Sequence, residues 1–248
     1  MQHATNRGCR IAFECTGEGP LVLLQHGLLS RRRTWHDNGF VEALAPDFRV
    51  VTVDSLGHGN SDKPADPRAY RREARADDLA AVLDVLEVER AHLVGYSMGG
   101  WMAAGFAARH ADRLRSVTLG GWDPVGGRTA AQTGPIDFET MLAGARARAP
   151  QLTAWIDAET TPGVRACWEA LSEIEGAEAA LAVCPAPVLL WAGKDDPVHD
   201  ALKALASRLA GATFRAVPGD HLGAMTTHAA ASLEALGAFL RRSDGVRG

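Results

Sequence analysis

Short apolar runs alternate along this chain with stretches of helical period, and that alternation restricts the fold to a mostly parallel sheet flanked by helices. Arg10–Cys15 (RIAFEC) alternates apolar and polar side chains, as a half-buried edge strand does. Leu21–Gln25 (LVLLQ) and Phe48–Asp54 (FRVVTVD) are β-rich and almost continuously apolar, the pattern of strands covered on both faces. Between residues 74 and 88, Leu79, Val82, Leu83 and Leu86 recur at i, i+3, i+4 and i+7, the buried stripe of a helix. Ala91–Tyr96 then reads as a strand and Gly100–Leu114 as a helix whose small residues let it lie close to a sheet. Leu114–Gly121 reads as another strand.

After Gly121 the pattern changes. Residues 122–183 hold no strand pattern, only helical stretches at 137–149, 151–159 and 163–175, interrupted by Pro150, Pro162 and Gly163. The alternation resumes with a strand at 187–193, a helix at 199–210, a strand at 213–219 and a closing helix at 223–242. The sequence therefore predicts an α/β core in two parts, 1–121 and 184–248, separated by a helical lid insertion at 122–183. A chain of 248 residues has the length of one large domain.

Within this frame one stretch carries chemistry. In AHLVGYSMGG, Ser97 lies where a strand runs straight into a helix, on the pattern Gly95-x-Ser97-x-Gly99. A serine in so sharp a turn is held in a strained conformation, and its neighbours must be small to avoid the adjacent strand and helix. The turn presents the hydroxyl above the sheet, with the Met98 backbone N–H at a helix N-terminus beside it. The bland reading is a glycine-rich turn with an incidental serine. The strand before and the helix after favour a nucleophile.

A serine hydroxyl needs a base, and the base needs an orienting acid. On such an elbow they follow in the order serine, acid, histidine, each after a strand. Of nine histidines, His221 in VPGDHLG follows the last strand and is the expected base. His199 opens a helix, His228 falls inside the closing helix, and His26 reads as a buried structural imidazole bonded to loop backbone. For the acid, Asp196 in LLWAGKDDPV is favoured over Asp195, because Pro197 fixes the turn after it. Asp123 in GGWDP is the competitor, with a turn or helix cap as its structural alternative. LLQHGLLS supplies a second oxyanion donor, the Leu28 N–H, next to Gly27.

Composition narrows the partners. Charged residues make up 23% of the chain, the net charge is −4, and no dense basic block marks a nucleic-acid footprint. Arg31–Arg33 reads as a solvated loop, with recognition of an acidic substituent as the sharper alternative. No apolar run is long enough to span a bilayer, and the first residues lack a signal-peptide pattern. Four scattered cysteines, with no CxxC pair, fit reduced thiols in a cytoplasmic protein. No HExxH motif or dinucleotide fingerprint is present, so no metal or cofactor is expected. The only partner expected is a small-molecule substrate, with no nucleic acid and no membrane.

The set LVLLQHGLL, VVTVDSLGHGNSDKP, LVGYSMGG, VLLWAGKDDPV and PGDHLG resembles the α/β-hydrolase superfamily, in particular its lidded esterase, lactonase and carbon–carbon-bond hydrolase branch. The resemblance spans nearly the whole chain and is weakest in the lid. It implies an eight-stranded, mostly parallel sheet, with Ser97, Asp196 and His221 as triad and Leu28 and Met98 as oxyanion donors. A serine at the elbow departs from the aspartate that haloalkane dehalogenases and most epoxide hydrolases of this fold place there. The activity implied is hydrolysis of a small ester or lactone. The alternatives are carbon–carbon cleavage of a vinylogous diketone and a non-hydrolytic receptor, lyase, cyclase or cofactor-free oxygenase. Trp122, Met141, Trp155 and Trp168 are candidates for an apolar substrate pocket or, equally, for packing of the lid on the core.

Overall fold

The computed structural model describes residues 1–127 and 136–245. Eight strands form one sheet in the order β1-β2-β4-β3-β5-β6-β7-β8. They are β1 (Gln2–Asn6), β2 (Cys9–Thr16), β3 (Leu21–Gln25), β4 (Arg49–Val53), β5 (Ala91–Tyr96), β6 (Leu114–Gly120), β7 (Val188–Gly193) and β8 (Thr213–Val217). β2 pairs antiparallel with β1 and with β4, and every other neighbouring pair is parallel. This is the mostly parallel sheet that the apolar runs predict.

Alternate side chains of each strand feed two cores. Leu23, Val51 and Leu93 point to the face covered by α3 (Arg72–Val85) and α4 (Met98–Arg109). Val22, Leu24 and Trp191 point to the other, with Trp35, Phe40, Phe48, Leu236 and Phe239. Trp35 and Phe40 belong to the short helices α1 (Arg33–Asp37) and α2 (Phe40–Leu44), and their rings meet edge-to-face at 5.0 Å.

The sheet edge corrects the sequence reading. RIAFEC lies in the second strand, and the edge is β1, whose polar Gln2–Asn6 carries little apolar signal. A two-residue turn with positive φ at Arg7 (50°) and Gly8 (77°) joins the pair, the backbone twist a tight hairpin requires. The edge is anchored at Asp78 of α3, fully buried, which accepts from Asn6 Nδ2 at 2.8 Å and from Arg7 Nη2 at 2.9 Å. Arg75 lies 2.7 Å from its other oxygen and holds the buried charge in place.

Between β6 and β7 the described chain is helical: α5 (Phe138–Arg148), α6 (Pro150–Thr153), α7 (Thr161–Ala170) and α8 (Ala177–Val183). Only the first turn of the 151–159 pattern is helix. The Asp157 carboxylate instead accepts the N–H groups of Glu159 and Thr160 at 3.0 and 2.9 Å, a local turn that competes with helix continuation. α8 has no counterpart in the sequence expectations. After β7 come α9 (His199–Arg208) and α10 (Ala229–Ser243). The closing helix starts six residues later than expected, so His228 precedes it, and residues 223–225 form a separate 3-10 turn. No helix among the described residues is long and apolar enough to cross a membrane.

Three buried histidines give the fold an acid limit. Burial lowers His26 to about 4 and His58 to about 3, and it also lowers His92. Each is neutral when folded but free to take a proton near pH 6.5 when unfolded. Their contribution is therefore complete above pH 6.5 and is lost as the pH falls towards 4. Each costs about 1.4 kcal/mol of stability per pH unit inside that window. Denaturant titrations at pH 7.5, 6 and 5 should show the midpoint falling steeply below pH 6.5. A flat profile down to pH 5 would contradict the neutral assignments.

Candidate active site

β5 ends at Tyr96 and α4 begins at Met98, so Ser97 alone makes the reversal. Its φ of 55° and ψ of −119° lie in a region that L-residues occupy only under constraint, at a cost of about 1–3 kcal/mol. The constraint is steric closeness. A Cβ on Gly95 would come within 2.0 Å of the Gly99 carbonyl oxygen, and a Cβ on Gly99 within 2.0 Å of the Gln25 oxygen at the end of β3. Two glycines let strand, turn and helix occupy the same small volume, and a hydrogen bond from Ser97 N–H to Gly120 O at 2.7 Å locks the turn to β6.

The partners arrive from two later strand ends. His221, four residues beyond β8, puts Nε2 at 3.1 Å from Ser97 Oγ. Its Nδ1 lies 2.8 Å from Asp196 Oδ2. Asp196 is 4% exposed and its second oxygen accepts the Val198 N–H at 3.1 Å, so both oxygens have defined partners. Asp195 beside it points to solvent. Asp123, the competing acid, accepts the Val125 N–H at 2.9 Å in a turn. His199 opens α9 and pairs with Asp200 at 2.9 Å. The structure thus brings Ser97, His221 and Asp196 together and leaves the other candidates outside.

Two backbone N–H groups near Ser97 are free to donate. Met98 N–H is the first of α4 and Leu28 N–H belongs to the loop after β3, and neither is hydrogen-bonded among the described residues. The loop runs against the serine: a Cβ at Gly27 would lie 3.1 Å from Ser97 Cβ and 3.7 Å from Oγ. His26 is the buried imidazole that the sequence indicates. Its Nδ1 meets Gly27 O at 2.8 Å while Nε2 accepts the Ser55 N–H at 3.1 Å, which fixes the tautomer with the proton on Nδ1.

Tyr96 is a residue the sequence reading passed over. Its hydroxyl donates to His221 O at 2.5 Å and its ring sits 5.2 Å from the imidazole. Burial raises its pKa well above the usual phenol value, so it remains a donor. Its only sequence signal is its place next to Ser97.

Of the pocket candidates, Trp122 and Trp168 are 6% and 7% exposed and belong to the core, whereas Met141 and Trp155 are half-buried against it. Trp122 packs on the elbow helix, its Cβ 3.0 Å from where a Gly100 Cβ would be. Arg31–Arg33 divides. Arg32 is committed to Glu14 at 3.0 Å and Asp54 at 3.2 Å, so the expectation of a solvated loop fails for this residue. Arg31 and Arg33 are exposed and border an open cleft of about 590 Å³, which Trp155 also lines and in whose walls Ser97 and His221 take no part.

The chain matches a model of the alpha/beta hydrolase fold over residues 20–155. An uncharacterized protein of Mycobacterium tuberculosis is 43% identical over 125 residues, 49% of this chain and 35% of that protein. A 2-hydroxymuconate semialdehyde hydrolase of a Pseudomonas species is 38% identical over 115 residues, 46% of this chain and 40% of that enzyme. The matched stretch thus spans well under half the length of these curated relatives. Among solved structures, a thermophilic esterase of Thermogutta terrifontis with malate bound superposes with a TM-score of 0.79 at 26% identity, covering 98% of this chain and 99% of that one.

The elbow geometry gives a direct test. Gly99→Ala should destabilise the protein by about 1–3 kcal/mol, because β3 must move to admit the methyl group. Gly144→Ala, where the nearest atom is the far end of Arg148 at 3.7 Å, should be neutral or slightly stabilising. Equal denaturation midpoints for the two variants would refute the steric account.

Proposed function

Since this chain belongs to the alpha/beta hydrolase fold family, we propose that it is a serine hydrolase that cleaves a small carboxylic ester or lactone through an acyl-enzyme on Ser97. The observation that carries this reading is the unbroken relay from Ser97 Oγ through His221 to Asp196, at 3.1 and 2.8 Å. Ser97 Oγ attacks the carbonyl carbon and its proton passes to His221 Nε2. Asp196 steadies the imidazolium through Nδ1–H. The carbonyl oxygen, now an anion, takes hydrogen bonds from the Leu28 and Met98 N–H groups. Collapse breaks the bond to the leaving alcohol, which receives the proton from His221. Water, deprotonated by the same imidazole, then releases the acid and restores the serine.

The helices between β6 and β7 act in this reading as a lid, with residues 122–183 as its extent. The small-substrate preference rests on crowding: Trp122 packs against the elbow helix, and His221 Cε1 is 2.9 Å from where a Cβ of Gly121 would be. The likeness to a 2-hydroxymuconate semialdehyde hydrolase supports a second reading, carbon–carbon cleavage of a vinylogous diketone by the same relay.

A fluorophosphonate should label wild-type protein once, at Ser97, and leave Ser97→Ala unlabelled. p-Nitrophenyl acetate and butyrate should be turned over faster than palmitate. Rapid cleavage of a vinylogous diketone with negligible ester turnover would select the second reading, and the absence of any labelling would defeat both. Asp196→Asn should lower kcat by as much as about 10⁴-fold through loss of the correct His221 tautomer. Asp195→Asn and Asp123→Asn should stay within about threefold of wild type, far short of the loss from a mis-set triad. A crippled Asp123→Asn would place the acid on β6 instead.

A further inference from the structure

Three consecutive carbonyls of the loop after β3 each face a ring N–H. His26 Nδ1 donates to Gly27 O at 2.8 Å, His58 Nε2 lies 2.7 Å from Leu28 O, and Trp155 Nε1 donates to Leu29 O at 2.9 Å. The neutral His58 ring has one proton. Its other nitrogen is 3.1 Å from Leu56 O, so the shorter contact assigns that proton to Nε2. The rings themselves form a row, with centroids 5.0 Å apart from His26 to His58 and 5.2 Å apart from His58 to Trp155.

Peptide planarity gives this ladder its significance. A carbonyl and the next residue's N–H share one rigid plane, so holding Gly27 O aims Leu28 N–H. The following two planes are held by His58 and Trp155, and the turn closes through Ser30 N–H to Gly27 O at 3.0 Å. Were the plane of Leu29 O released, the Leu29–Ser30 peptide would be free to rotate, and the closing bond to Gly27 O would loosen with it. His26 and His58 belong to the core. Trp155 arrives from the helical segment between β6 and β7, 126 residues along the chain from its acceptor.

We infer that Trp155 is a positioning residue for the oxyanion site: its indole N–H, supplied by the lid, is the outermost of three anchors that hold the Leu28 N–H towards the Ser97 hydroxyl. The inference rests on the reading of Ser97 as nucleophile and Leu28 N–H as oxyanion donor. It makes the lid part of transition-state stabilisation as well as a cover over the site. A residue that merely walls the pocket would act on substrate binding. An anchor of the oxyanion loop acts on the step in which charge develops on the carbonyl oxygen.

The test compares wild type with Trp155→Phe and with a protein carrying β-(3-benzothienyl)alanine at position 155, which keeps the indole shape and replaces the N–H with sulfur. Three quantities are measured: kcat and KM on p-nitrophenyl acetate, inhibition by an aryl trifluoromethyl ketone, and the rate of fluorophosphonate labelling. Both variants should lose about tenfold in kcat with KM within twofold, a smaller loss than the ~10²–10³ for deleting an oxyanion donor outright. Affinity for the ketone and the labelling rate should fall by the same factor, with the melting temperature close to wild type. Unchanged kcat in the benzothienyl protein would overturn the inference, as would a loss confined to KM. An unreactive Ser97 in wild type would instead remove the functional reading beneath it, so the two failures are separable.

Discussion

Everything around Ser97 depends on how closely three backbones approach one another at the elbow. The Gln25 carbonyl at the end of β3, the end of β5 and the first turn of α4 meet where a single methyl group on Gly95 or Gly99 would overlap a carbonyl oxygen by more than an ångström. That closeness forces Ser97 into its strained φ and ψ. It also sets the loop after β3 against the serine, so one contact produces both the raised hydroxyl and the neighbouring N–H groups. The surrounding sheet supplies the rigidity: β3 and β5 are buried at every position, and their parallel pairing fixes the relative height of their C-terminal ends.

From that point the site is assembled by hydrogen bonds that each remove one degree of freedom. Asp196 and Tyr96 hold opposite parts of His221, one at the ring and one at its backbone carbonyl. His26 and His58 hold successive carbonyls of the loop after β3, and both are kept neutral by burial. A neutral ring acts here as a donor of fixed tautomer and adds no charge to the loop beside Ser97. The same burial ties stability to pH, because the unfolded chain takes protons that the folded one refuses.

The segment between β6 and β7 is bound to the core by polar as well as apolar contacts. Arg72 donates to the carbonyls of Glu173 and Glu175, Trp101 Nε1 donates to Glu173 O at 2.7 Å, and Trp155 reaches Leu29. The α-carbons of Gly57 and Gly163 leave no room for a side chain between loop and helix, so α7 rests with its backbone directly on the loop after β4.

The sequence by itself determined the parallel strands and the elbow, and it put Ser97, Asp196 and His221 just past the strand ends where the structure finds them. Those signals are local: apolar runs long enough for one strand, glycines two residues either side of Ser97, and polar residues just past a strand end. It also separated Asp196 from Asp195, since a proline fixes only one of the two turns. The polar edge strand β1 escaped detection because what holds it is Asp78, more than seventy residues away and itself hidden in a helix pattern. Tyr96, His58 and the second half of Trp155's story were equally unreadable, as was the commitment of Arg32 to Asp54. Each of these depends on a carbonyl or carboxylate delivered by another element, and a chain carries no record of which distant backbone groups will lie within 3 Å once the sheet has closed. Tertiary structure decided those pairings, and with them the aim of the N–H groups around Ser97.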